Sequence, residues 1–137
     1  MAQFTRDDVQ TAIEGLFTSG WGATPLASVA FENIAFDSAA QAGPWVEVVI
    51  QRQGATTLTV GLYQTMTGII WVTAYIPEGF GKQTATQLLD AASALLNGVR
   101  IAVGSTANMT ISGATGEIPN TKTGWYGLQV GFRFSVI

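Results

Sequence analysis

The sequence contains few of the groups on which enzymes and metal sites depend. It has no histidine and no cysteine, so the commonest general base, the commonest metal ligand and every thiol are missing. The nearest approach to a phosphate-binding loop is IPEGFGKQT at 76–84, where Gly81 and Lys82 fit the pattern G-x-x-x-x-G-K-[ST]. Ile76 stands where the first glycine belongs, and Gln83 stands where Ser or Thr belongs. We therefore interpret this segment as a glycine-rich entry to a helix.

The remaining acidic and hydroxyl groups offer no better candidate for catalysis. Asp7 and Asp8 are neighbours in the sequence, and adjacent helix residues do not face each other. We interpret them as partners of the helix dipole and not as an acid/base pair. Ser105 in GSTANMT has no histidine to activate it, and no D-x-D-x-D-G loop exists for a hard cation. The sequence predicts a protein that is not an enzyme, with no catalytic residue, cofactor or metal.

The composition instead favours a protein that associates. The length suits a single domain, residues 1–137. Charged residues make up 11% of the chain, whereas soluble domains carry about 25%, so little on the surface opposes contact with a neighbour. The net charge is −3 and the basic residues are scattered, which predicts no sequence-specific binding of nucleic acid. No long apolar run or signal peptide is present, so we expect a cytoplasmic protein without a membrane partner.

Two amphipathic helices are predicted. Thr5 can cap the first helix, with Asp8 completing a capping box, and Gly20 and Gly22 end it. Thr84 with Gln87 forms a second capping box, and Gly98 is the expected stop. The residues at helical spacing are Val9, Ala12, Ile13, Leu16 and Phe17 in the first helix, and Ala85, Leu88, Leu89, Ala92, Leu95 and Leu96 in the second.

Alternating segments predict a mostly antiparallel sheet. A short strand or extended segment covers 28–36, and strands follow at 44–53, 56–65, 69–76, 99–103, 109–112 and 124–137, with turns at Gly54 and at Thr67-Gly68. Residues 113–124 read as a polar glycine-rich loop. The expected fold class is α+β, with the two helices packed on one face of a sheet of five or six strands.

The last strand has one apolar register and one mixed register. Tyr126, Leu128, Val130, Phe132, Phe134 and Val136 form a core face. The mixed register of this and other strands supplies the candidate interface residues: Trp45, Glu47, Gln51, Trp71, Tyr75, Trp125, Gln129 and Arg133. Trp, Tyr and Arg over a weakly charged face are typical of protein–protein contact centres. Cover by loops of the same chain is the alternative, and we favour the interface because few residues are left over to provide a cover.

The loop at 113–124 gives a second candidate surface. Its polar residues Glu117, Asn120 and Lys122 are candidate docking residues. We expect the loop to be mobile in a free subunit, and a docking role and an ordinary surface loop are equally compatible with its composition.

The chain resembles the tail terminator (tail completion) proteins of long-tailed phages and prophages. The resemblance runs from the N-terminal helix through ASVAFENIAFDSAAQAGPWVEVVIQ and GIIWVTAYIPEGFGKQTATQLLDAASALL to GWYGLQVGFRFSV. Proteins of this family have a strand that ends in a hydrophobic-Pro-x-Gly break before the second helix, and a last strand that opens on Trp-Tyr.

The resemblance implies a ring, usually a hexamer, that caps the tail tube, ends its polymerisation and provides the head-docking surface. It also implies three partners: other copies of the chain, the tail tube protein and a head-completion or connector protein. The expected location is the head-proximal end of the virion tail, assembled in the bacterial host cytoplasm, and no cofactor is expected. A head–tail connector or tail tube protein of related fold is one alternative. A small-molecule-binding domain with the aromatic face as its pocket is another.

Overall fold

The computed structural model describes residues 4–21, 28–31, 43–58, 63–79, 83–104, 107–120, 122 and 124–137. Two helices are present, α1 (Arg6–Gly20) and α2 (Gln83–Leu96). The described strands are β1 (Ser28–Phe31), β2 (Trp45–Leu58), β3 (Tyr63–Pro77), β4 (Arg100–Val103), β5 (Ala107–Ala114), β6 (Ile118–Pro119) and β7 (Trp125–Val136). Neither helix in these parts of the chain is long and apolar enough to span a membrane.

One sheet joins all of these strands. Their order is β1-β2-β3-β7-β5-β4, and β6 pairs with β7 beyond the end of β5. Every pairing is antiparallel except that of β1 with β2. Both helices bury their apolar stripes in one core with the alternate residues of β2, β3 and β7. This confirms the predicted α+β class, with the small strand β6 bringing the sheet to seven strands.

The central hairpin of the sheet differs from the predicted meander. β2 and β3 are single long strands, so the turns predicted at Gly54 and at Thr67-Gly68 were wrong. Gly54 follows a register shift after Arg52, which is a bulge and not a turn. A Cβ on Gly68 would lie 2.4 Å from the carbonyl oxygen of Gln51 and 2.6 Å from the Phe134 ring. Glycine is therefore present because the core closes tightly over this strand, and residues 59–62 lie outside the described part of the hairpin.

Helix α1 begins and ends as predicted. The Thr5 N–H donates to Asp8 Oδ2 at 2.7 Å, and the Asp8 N–H donates to Thr5 Oγ1 at 3.1 Å. This reciprocal capping box satisfies two backbone donors that the helix itself leaves free, and a cap of this kind is worth about 1 kcal/mol. The helix ends at Gly20, with Trp21 as its C-cap. Gly22 lies outside the described residues.

Helix α2 carries its predicted stripe but begins one residue early. Its first residue is Gln83, so Thr84 lies inside the first turn and is not the N-cap. The buried residues are Ala85, Leu88, Leu89, Ala92 and Leu96. Gly98 follows with a φ of 74°, the left-handed conformation that ends helices, and this confirms the predicted stop.

Candidate interaction surface on the outer sheet face

The outer face is the side of the sheet opposite the helices, and it brings all eight candidate interface residues together. Strand register aligns them in rows across β2, β3 and β7. The rows are Trp45–Tyr75–Gly127, Glu47–Thr73–Gln129, Val49–Trp71–Gly131 and Gln51–Ile69–Arg133. Trp125 lies beside the first row, against Trp45. The predicted strand parity is therefore confirmed for each of these residues.

One end of the outer face is closed. The rings of Trp45 and Tyr75 stack with their centroids 4.4 Å apart and an interplanar angle of 25°. Trp125 meets the Trp45 ring edge-on at 6.0 Å. Trp45 and Tyr75 are each only 1% exposed. These residues form a second, small core, so the expectation that the whole aromatic face is an open interface was wrong for Trp45 and Tyr75.

The cover over this end comes from the segment predicted to be a loop. The Asn120 N–H donates to the Gly127 carbonyl at 2.9 Å, and Lys122 and Trp125 exchange backbone hydrogen bonds of 3.1 and 2.8 Å. Together with the pairing of β6 to β7, these bonds form a β-hairpin that turns through Gly124, whose φ is 82°. The side chains of Asn120 and Gln129 are also joined, by a bond of 3.1 Å from Nδ2 to Oε1. The predicted loop was therefore wrong for Ala114, Thr115 and residues 118–120, which pair or hydrogen-bond with β7.

Glycine at 127 is what lets this hairpin lie close. A Cβ at that position would fall 1.7 Å from the Asn120 carbonyl oxygen and 2.8 Å from the Tyr75 ring. Both contacts are far shorter than any van der Waals separation, and the first is with backbone that cannot rotate away. The sequence contained this signal, because a glycine in the middle of a strand often marks close approach of another backbone.

Lys122 joins the cover to the aromatic pair electrostatically. Its Nζ lies 5.2 Å from the centre of the Trp45 ring and 5.3 Å from that of Tyr75, within cation–π range. The same Nζ is 3.6 Å from Oε2 of Glu47. Burial, with the nearby negative charge of Glu47 adding to it, raises the pKa of Tyr75 to about 12. Of the three candidate docking residues, Lys122 therefore pairs with Glu47 of its own subunit. Asn120 is bonded to Gln129, and Glu117 is exposed.

The other end of the outer face is open. Here Gln51 and Arg133 are exposed, and Trp71 is half-buried. The Trp71 Nε1–H donates to Gln51 Oε1 at 2.7 Å, which fixes the indole orientation. A Cβ on Gly131 would lie 2.7 Å from the Trp71 ring and 2.8 Å from the Ile69 side chain, so both side chains pack against that glycine.

A polar row that the sequence analysis did not single out extends the open end. Register aligns Arg100, Thr110, Ser135 and Thr67 across β4, β5, β7 and β3. Arg100 is exposed, and the alternation of RIAV in β4 was the signal that could have found it. We define the open face as the half-buried apolar strip Val49, Ile69 and Trp71 together with its polar border Gln51, Arg133, Arg100, Thr110, Ser135 and Thr67. Within the described residues, no carboxylate lies within 4 Å of the Arg100 or Arg133 guanidinium.

The chemistry of the outer face follows from its side chains, with stacked aromatic rings at one end and a tryptophan beside an arginine at the other. Among the residues that the structure describes, no group of three or more His, Cys, Asp or Glu side chains could hold a metal ion. The stacked faces of Trp45 and Tyr75 are in contact with each other and with Lys122. What the arrangement can do is present a rigid, weakly charged surface with a tryptophan near its centre.

Comparisons with known proteins inform the fold and not the function. No family model matches the chain, and no curated protein matches it either. A solved structure for which no function is stated aligns with a TM-score of 0.77 over 97% of this chain and 96% of its own, at 19% sequence identity. The chain is thus similar to that protein over its whole length, and at this identity the similarity establishes the shared fold alone.

Proposed function

We propose that the protein is a structural subunit of virion assembly that forms a ring on the phage tail tube. The ring ends tube polymerisation and offers the surface on which the head docks. Its partners are other copies of the chain, the tail tube protein and a head-completion or connector protein, at the head-proximal end of the tail. The basis for the tail assignment is the resemblance of the sequence, from the N-terminal helix to GWYGLQVGFRFSV.

The observation that carries the assembly role is the open face. The half-buried Trp71 lies on the middle one of three paired strands and packs against Gly131, with Arg133 exposed nearby. Trp and Arg are the residues that most often dominate binding energy at protein interfaces. Because strands position this surface, little conformational entropy is lost when a partner covers it.

The two alternatives differ in how well this geometry supports them. A small-molecule site would need an accessible aromatic surface, whereas the Trp45 and Tyr75 rings are 1% exposed and stack on each other. A connector or tube protein would use the same open face as a terminator does. The choice between those roles depends on which partner the subunit binds, and on whether it ends the tube or is incorporated along it.

The decisive experiment mixes the purified chain with polymerising tail tube protein. We expect the chain alone, or with tube ends, to form rings visible by electron microscopy, and we expect added chain to shorten tubes in proportion to its concentration. Continuous incorporation along the tube would instead identify a tube protein. A chain that stays monomeric in sedimentation and leaves tube length unchanged would overturn the proposal.

A further inference from the structure

The two layers of the subunit carry opposite charge. On the open face, Arg100 and Arg133 are exposed, and the cross-strand rows that contain them hold no acid. The helix layer, formed by α1 and α2, carries four acids and one base, Arg6. Arg52 of β2 adds a second base on this side, because its Nη2 donates to the Arg6 carbonyl oxygen at 3.4 Å and to Gln10 Oε1 at 3.3 Å. The acids are Asp7, Asp8, Glu14 and Asp90. The sheet side is therefore positive where it is open, and the helix side is negative.

These charges do not neutralise each other inside the subunit. The ion pair found in the described part of the chain joins Lys122 to Glu47 at the closed end. The buried core lies between the helices and the sheet, so Arg133 cannot reach an acid of α1 or α2 of its own chain. Within the part of the chain that the structure describes, Arg100 and Arg133 thus have no acidic partner in their own subunit.

The charge pattern also decides how two copies can meet. If two open faces met about a twofold axis, the charges that both copies bring to the contact would all be basic, from Arg100 and Arg133, and like charges across an interface are unfavourable. An open face that meets a helix layer instead brings each arginine toward carboxylates. The same contact covers the apolar strip Val49, Ile69 and Trp71.

We propose that the open face of one copy docks on the helix layer of a second copy, with Arg100 and Arg133 directed at the exposed acids of α1 and α2. This rests on the proposed function, because it names the contact through which the subunits of the assembly associate. The contact is head-to-tail, since each copy keeps one unused open face and one unused helix layer. Such contacts continue from copy to copy and close into a ring when the rotation between subunits permits.

The test is a charge-swap mixture followed by sedimentation velocity. We expect R100E/R133E to weaken self-association about tenfold or more, and D7K/D90K to do the same, because each places like charges in the contact. An equimolar mixture should recover assembly, since the acidic open face of one variant then meets the basic helix layer of the other. Arg6→Glu is the matched control: it also reverses a charge on the helix layer, but in the opposite sense, from positive to negative, and should leave association at least as strong.

Two further measurements test whether each variant folds and which partner covers the open face. Circular dichroism melts should show every variant folded, and D7N/D90N, which keeps the first turn of α1 free of added positive charge, should also weaken association. Variants that assemble alone like wild type, or a mixture that stays as dissociated as its components, would overturn the head-to-tail contact while leaving the tail role standing. If R100E/R133E loses binding to the tube but keeps its self-association, the tube occupies the open face, and the head-to-tail contact is overturned as well. A wild-type chain that binds neither itself nor the tube overturns both proposals.

Discussion

The ammonium nitrogen of Lys122 lies 5.2 Å from the centre of the Trp45 ring, across the strand that separates β7 from β2. This contact closes one end of the outer face, and it explains why only the other end is available to a partner. The hairpin that carries Lys122 supplies the cover that the chain otherwise lacks over its second aromatic cluster. The extent of the open face is thus set by how far this hairpin reaches.

Replacing Lys122 with methionine should destabilise the closed end modestly. The change keeps the aliphatic stem but removes the cation over two rings and the ion pair with Glu47. Because the lysine side chain is 45% exposed, we expect a loss of only about 0.5–1 kcal/mol in the free energy of unfolding. Urea denaturation measures this loss, and Lys122→Arg should recover most of it. Equal stability of the methionine variant and wild type would show that the charge contributes nothing.

The stability of the protein should fall above pH 10 because of Tyr75. Its pKa is raised to about 12 by burial and by Glu47, whereas an unfolded tyrosine titrates near 10. Between these values the native state keeps a proton that the unfolded state has lost, so stability decreases as pH rises and levels off above the native pKa. The full loss is about 2–3 kcal/mol, and below pH 10 this residue contributes no pH dependence.

Tyr75→Phe isolates that effect from other groups that titrate at high pH. The variant should lose less stability than wild type between pH 10 and 12 in urea melts, and the difference spectrum of tyrosinate absorbance should lack the latest-titrating tyrosine. A variant whose stability falls in parallel with that of wild type would contradict the raised pKa. Glu47→Gln should move the transition to lower pH, because the charge that helps to raise the pKa is gone.

The helices, the core face and the strand parity could be predicted because each depends on local periodicity. Thr5 and Asp8 are three positions apart and cap the helix as predicted. Turn positions could not be read in the same way, because a glycine supports either a turn or a close contact. Gly68 illustrates the second case, since its Cα faces the Phe134 ring.

The sequence predicted which residues share the outer face, but it did not predict which of them are exposed. The period of two identified Trp45 and Trp71 as residues of one face, and both lie there. Their burial differs because the hairpin at 118–129 covers Trp45 and not Trp71, and that depends on contacts between distant parts of the chain. Composition alone, with its many polar residues and glycines, favoured a loop for residues 113–124, which supply the first half of that hairpin.

Gly127→Ala should disrupt the cover over the closed end. The added methyl group would lie 1.7 Å from the Asn120 carbonyl oxygen, so the hairpin must move away or the strand must bend. Overpacking of this kind costs about 1–3 kcal/mol, and more where backbone is the obstacle. We expect a lower midpoint in urea and an increase in tryptophan fluorescence quenching by acrylamide, because Trp45 and Trp125 become accessible.

Gly113→Ala provides the matched control for that variant. Gly113 lies near the end of β5, at the register shift between Ile111 and Ala114, and a Cβ there meets nothing within 4 Å. The substitution should change stability by less than about 0.5 kcal/mol and leave quenching unchanged. Equal effects of the two substitutions would mean that close approach at Gly127 does not hold the hairpin in place.

Trp71→Ala should separate assembly from folding. Trp71 is half-buried and belongs to neither buried cluster, although it packs over Gly131 and donates to Gln51. Removing it should therefore cost the free subunit about 1 kcal/mol, against about 3–5 kcal/mol for Phe132→Ala, whose ring is fully buried in the core. Association should weaken by more than the fold does, because a central tryptophan can contribute about 2 kcal/mol or more to an interface.

Sedimentation velocity and urea melts on the same samples measure both the association and the stability of Trp71→Ala. Arg133→Ala should follow the same pattern with a smaller loss of association. If Trp71→Ala associates like wild type, the open face is ordinary surface; if it unfolds as readily as Phe132→Ala, the indole is part of the core and the face has no separate role.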